Sequence, residues 1–181
     1  MFKPPALSMT NRPVSPRIKA LKVLVVDDEH YMRKVTRTIL TAIGVKTIME
    51  APDGIAGLEM ARMHLPDLII IDWEMPLIDG AQLVRMIRAP GEFPAPETPI
   101  IMLSAHSDHW RVVESARIGA NEFVRKPVSI TTLESRIIAV IERPRPTVQL
   151  KGYYGPMPRR LVPIETDDRA ASIAALVKSR L

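Results

Sequence analysis

Short β-rich segments alternate with longer segments of helical periodicity through the middle of this chain. The strand candidates are Val23–Val26, Val45–Ala51, Asp67–Asp72, Pro99–Ser104 and Glu122–Lys126. The most apolar of them, Leu68–Ile71, is short, Ile-rich and followed by Pro76, so it reads as a strand buried on both faces rather than as a helix. Between the strands, Met32, Val35, Ile39 and Leu40 recur near helical spacing, and Gly44 stands where a C-cap glycine belongs. Further helices are predicted over Asp53–Met63, over about Gly80–Arg88 on Leu83, Val84 and Ile87, and from Ser107 to about Ile118. A last one covers Ile130–Glu142, with Leu133, Ile137, Ile138 and Ile141 on one side. Ala89–Pro99 holds four prolines and is a loop.

Five strand–helix alternations in about 120 residues call for a doubly wound α/β fold, a parallel sheet covered on both faces. Right-handed crossovers leave few topologies open. The flanks differ in composition. Residues 1–20 carry four prolines and little apolar periodicity, which predicts an unstructured leader. Residues 21–143 hold the alternating segments. Residues 144–181 open with a Pro- and Gly-rich stretch expected to be an extended linker, and end in a helix expected from about Asp167, capped by Thr166.

Charge sharpens this division. Residues 1–22 carry net +5, residues 23–142 net −5, and residues 143–181 net +5. Basic arms around an acidic centre suit nucleic acid, an anionic surface, or the acidic domain of the same or a second chain. Docking on the acidic domain, in cis or across a homodimer, is the expectation for the tail. The basic start has no apolar centre and is no secretory signal, and no apolar run reaches the ~18 residues a membrane span needs. With no cysteine the chain has no disulfide and no thiolate metal site, which fits a cytoplasmic protein.

In a parallel sheet the polar residues that close these strands meet at one edge: Asp27 and Asp28, Asp72, Ser104 and Lys126. Carboxylates so gathered repel, and a hard cation such as Mg²⁺ relieves this through oxygen ligands. Ammonium, hydroxyl and metal together suit the equatorial oxygens of a phosphoryl group, with an aspartate as nucleophile.

Val-Val-Asp27-Asp28, Ile-Asp72-Trp-Glu-Met-Pro76, Asp79-Gly80, Leu-Ser104-Ala105 and Phe123-Val-Arg-Lys126-Pro127 together resemble the receiver domain of two-component response regulators, the single-domain chemotaxis type above all. The resemblance covers about residues 21–143 and implies the flavodoxin-like strand order 2-1-3-4-5, for which the chemotaxis receiver is a standard example. It also implies that Asp72 accepts phosphate from a histidine kinase or phosphotransfer protein. Asp27, Asp28, Asp72 and the main-chain carbonyl of Glu74 would hold Mg²⁺. Lys126 would pair with the phosphoryl oxygens and form a cis peptide bond with Pro127, with Ser104 and Phe123 as switch hydroxyl and switch aromatic. A downstream protein would read the switched surface.

This chain has particulars of its own. Phe123 offers no phenol, and Glu74 and His106, each two positions beyond a site residue, flank the path of an attacking water. Two other readings use the same residues. A DNA-binding regulator would use the basic arms, but 39 residues after the last strand–helix unit, with one predicted helix, cannot build a helix-turn-helix output domain. A metal-dependent phosphohydrolase would use the same aspartate, yet no separate acid–base pair is evident. A phosphorylation-switched binding protein, which catalyses only its own phosphorylation and dephosphorylation, is the reading taken forward.

Overall fold

Burial decides which segments become strands. In a computed structural model that describes residues 15–158, β1 (Lys22–Val26), β2 (Thr47–Ala51), β3 (Leu68–Asp72), β4 (Ile100–Ser104) and β5 (Glu122–Arg125) form one sheet. Its order is β2-β1-β3-β4-β5 and every pairing is parallel. The central β3 and β4 are buried at every position, which is why their sequences are continuous apolar runs rather than alternating ones.

Alternate residues of each strand feed two separate cores, as the two-residue repeat of a pleated strand requires. Val23, Val25, Leu68, Ile70, Ile101 and Leu103 pack on one face against α2 (His30–Ile43) and α6 (Ile130–Ile141). Leu24, Val26, Ile69, Ile71, Ile100 and Met102 pack on the other against α3 (Gly54–His64) and α4 (Gly80–Ile87), with Ile118 at the end of α5 (His109–Arg117).

The expected strands and helices are present with small shifts at their ends. Val45 lies before β2 because it belongs to the turn that ends α2, where Gly44 has φ 101° and Val45 N–H donates to Leu40 O. Strand β5 stops at Arg125, one residue short of the expectation, at the cis Lys126–Pro127 bond.

Two expectations are corrected. The sequence predicts an unstructured leader to residue 20, but Pro16–Lys19 forms a short helix, α1, which brings the helices among the described residues to six. Its anchor is Ile18, 2% exposed and packed with Leu21 in the core that α2 and α6 cover. Residues 144–158 are not an extended linker throughout. Strands β6 (Thr147–Leu150) and β7 (Tyr153–Pro156) form an antiparallel hairpin turned at Gly152, where φ is 77°. The hairpin sits on the domain: Arg145 Nη2 donates to Asn121 O at 2.6 Å, and a Cβ added to Gly119 would lie 2.7 Å from Tyr154 O. The helix expected from Asp167 lies outside the described residues.

Arg88 pins the proline-rich loop at the sheet edge opposite the acidic residues. It is 4% exposed and donates to Gly119 O (2.9 Å), Pro96 O (2.5 Å), Thr98 O (2.8 Å) and Asn121 Oδ1 (3.0 Å). Burial lowers its pKa to about 10, so it remains a cation at neutral pH. Removing a buried cation leaves its acceptors unpaired, so Arg88→Met is expected to lower stability by ~3 to 5 kcal/mol. Urea unfolding measures this, and a loss below ~1 kcal/mol would show that water replaces the guanidinium without cost.

Candidate functional site

Four strand ends deliver the site. Asp27 and Asp28 follow β1, Asp72 closes β3, Ser104 closes β4, and Lys126 follows β5. The β3–β4 register sets Asp72 opposite Leu103, and the β4–β5 register sets Ser104 opposite Arg125. The Asp79 capping box with Gln82 starts α4 immediately beyond the site. Gly80 lets the chain fold back there: its N–H donates to Trp73 O at 3.0 Å, and a Cβ would stand 2.1 Å from the main-chain oxygen of Asp72.

The three carboxylates converge. Asp27, Asp28 and Asp72 each offer one oxygen within 4.8 Å of the others. Asp27 and Asp72 are buried, whereas Asp28 is exposed at the mouth. Lys126 Nζ bridges the buried pair. It donates to Asp27 Oδ2 at 2.8 Å and lies 2.7 Å from Asp72 Oδ1, an ion pair that falls short of hydrogen-bond geometry. Burial pushes the Asp72 carboxyl up to about 6; Lys126 opposes that rise, and the charges of Asp27 and Glu74 add to it. Burial alone would lower the Lys126 pKa, but its hydrogen bond to Asp27 and the negative charges of Asp27 and Asp72 outweigh it, and the ammonium pKa is raised.

One cation thus serves two buried carboxylates, with a third carboxylate beside them. The deficit of positive charge and the oxygen-only donor set fit a divalent hard cation, and no soft or nitrogen ligand competes for it within the cluster.

Ser104 and Phe123 reach the same edge but face another group. Ser104 Oγ accepts from Arg111 Nη1 at 3.0 Å and from His106 N–H at 3.1 Å. Phe123 is half-buried, its ring centroid 6.3 Å from that of Trp73, which in turn meets Trp110 edge to face at 5.9 Å. Arg111 also pairs with Glu74, and His106 Nε2 lies 3.7 Å from the same Glu74 oxygen. Arg111 carries no motif that marks it in the sequence, and Trp73, although inside the Asp72 motif, has no role assigned to it there. Arg111 sits seven residues past Ser104 on α5, a distance only the packing of α5 closes.

This arrangement, a carboxylate triad with a bridging lysine at the carboxyl edge of a 2-1-3-4-5 sheet, coincides with a match of residues 23–138 to the response regulator receiver domain. The chain belongs to that family. The receiver is 32% identical over 125 residues to chemotaxis protein CheY-3 of Vibrio cholerae, covering 69% of this chain and 95% of that one. It is also 32% identical over 123 residues to chemotaxis protein CheY of Pseudomonas aeruginosa, covering 68% and 98%. Among solved structures it is similar to Vibrio cholerae CheY4, with TM-score 0.60, 30% identity and coverage of 66% of this chain and 98% of that one. A putative response regulator from Chloroflexus aurantiacus has TM-score 0.63 at 28% identity, covering 68% and 98%. Receiver domains typically bind Mg²⁺ in an acidic pocket, and in this chain Asp27, Asp28 and Asp72 form an acidic cluster. Among the described residues no helix is long and apolar enough to cross a membrane.

Proposed function

We propose that this receiver accepts a phosphoryl group on Asp72 from a phosphohistidine of a histidine kinase or phosphotransfer protein. A downstream protein would then bind the altered surface of α5, β5 and α6. The observation that carries the reading is Lys126 Nζ held between Asp27 and Asp72, 2.7 Å from the oxygen of Asp72.

An Asp72 oxygen attacks phosphorus in line as the bond from phosphorus to the donor imidazole nitrogen breaks, and the imidazole leaves neutral or takes a proton from water. Lys126 remains beside the phosphoryl oxygens and balances charge that Asp72 gives up. Asp27 holds the ammonium at its other side, so Lys126 is fixed before the phosphoryl group arrives. Asp27, Asp28 and Asp72, with the main-chain carbonyl of Glu74, are the residues that would hold Mg²⁺, which when bound neutralises phosphoryl charge. Ser104 turns its hydroxyl to a phosphoryl oxygen, and Phe123 follows into the space it leaves. That rearrangement transmits the event to α5 and β5, a two-state element biased by one new group.

Mixing the protein with a histidine-phosphorylated phosphotransfer protein and Mg²⁺ tests this. Intact mass is expected to rise by one phosphoryl group on the wild type and not at all on Asp72→Asn. Equal gain on both would place the phosphate elsewhere.

A further inference from the structure

The proposed switch needs Ser104 to turn, yet a cation occupies its hydroxyl. Arg111 Nη1 donates to Ser104 Oγ at 3.0 Å, and the same nitrogen pairs with Glu74. The guanidinium carbon lies 5.6 Å from the Trp73 ring centroid and 5.3 Å from that of Trp110, so two aromatic faces and one carboxylate hold it. The Arg111 side chain is 16% exposed, whereas Trp110, on the outside of this stack, is 56% exposed. Arg111 Nε is buried and makes no hydrogen bond among the described residues. The resting pose thus carries one unsatisfied buried donor, which a move of the guanidinium toward water would satisfy.

On the phosphorylation reading above, on which this step rests, we infer that Arg111 is the positioning residue that holds the Ser104 hydroxyl in its resting orientation. Phosphoryl capture breaks the Arg111–Ser104 hydrogen bond and loosens the stack of Arg111 on Trp73 and Trp110. The change is thereby carried from the buried edge of β4 to an exposed tryptophan at the start of α5. Glu74, paired with the same guanidinium nitrogen, is the anchor that holds Arg111 in the resting pose. The chain has two tryptophans, and both touch Arg111, so intrinsic fluorescence reports the latch directly.

Beryllofluoride with Mg²⁺, a stand-in for the phosphoryl group, is the probe, titrated into the full chain with tryptophan fluorescence as the readout. Release of a charge-assisted hydrogen bond predicts that Arg111→Ala tightens binding of the probe roughly tenfold. In the Ser104→Ala background the same substitution is expected to change affinity by less than about twofold, because the coupling runs through the hydroxyl. Arg111→Ala before probe addition should also show part of the fluorescence change that the probe produces in the wild type. Equal effects in the two backgrounds, or weaker probe binding by Arg111→Ala, would overturn the latch. Should Arg111→Ala fail to fold by circular dichroism, Glu74→Gln frees the guanidinium from its anchor and must tighten binding in the same direction. No effect there overturns the inference as well. Probe binding to the wild type and not to Asp72→Asn keeps the phosphorylation reading whatever the latch does; no binding to the wild type overturns both.

Discussion

Lys126→Ala is expected to slow phosphoryl uptake by Asp72 from acetyl phosphate ~100- to 1000-fold, the cost of removing one fixed charge from a prearranged electrostatic site. The ammonium lies within 2.8 Å of Asp27 Oδ2 and 2.7 Å of Asp72 Oδ1, with the lysine side chain 12% exposed. Nothing else among the described residues makes an ion pair with either carboxylate. Without Lys126 the two buried carboxylates also face each other uncompensated, so the metal-free variant should lose ~3 kcal/mol of stability at neutral pH. Mg²⁺ restores part of that stability but little of the rate, because the phosphoryl oxygens still lack their ammonium. Initial rates followed by intact mass decide the matter: a rate within about threefold of wild type would remove Lys126 from the chemistry.

Asp72→Asn should abolish phosphoryl uptake and yet make the metal-free protein more stable at neutral pH. Burial raises the Asp72 carboxyl from 3.8 to about 6, so the folded state binds its proton more tightly than the unfolded chain does. Between these values the folded form holds more protons, and stability falls as pH rises. The stabilising effect of the protonated carboxyl is complete below pH 4 and gone above pH 6. Water at the open mouth of the site screens part of the effect, which leaves a difference of ~2 kcal/mol between the ends of the window. The wild type minus Asp72→Asn difference in urea unfolding, with chelator present, isolates this carboxyl from other titrating groups. That difference should become more negative as pH rises across the window and move back toward zero when Mg²⁺ is added. A difference that is flat, or that slopes the other way, would mean Asp72 is not held at a charge deficit.

Much of this was legible in the sequence because the central strands carry their own signature. Leu68–Ile71 and Ile100–Leu103 are apolar at every position, buried at every position, and each ends in a polar residue at the site. Parallel topology alone therefore brings Asp27, Asp28, Asp72 and Lys126 to one edge of the sheet. Helix α1 has no sequence signature because its four residues, which begin with Pro16, carry almost no periodicity, and the burial of Ile18 anchors them. The hairpin is obscured for a related reason. Its Pro and Gly content read as a linker, although the alternation of half-buried Val148 and Leu150 with exposed Thr147 and Gln149 was already the mark of a strand with one covered face. Arg111 was illegible in principle. An arginine in the first turn of a helix is ordinarily solvated, and only the approach of α5 to Trp73 and Ser104 turns it into a contact of the site.

The central claim is that Asp72, and no other group, carries the phosphate. Borohydride reduces an aspartyl phosphate to homoserine, so treating the acetyl phosphate-labelled wild type with borohydride and sequencing its peptides by mass spectrometry locates the modified residue. Homoserine at position 72 is the predicted result. Homoserine at position 27 or 28 instead, or an unmodified peptide containing Asp72 from protein that had gained a phosphoryl group, would contradict it.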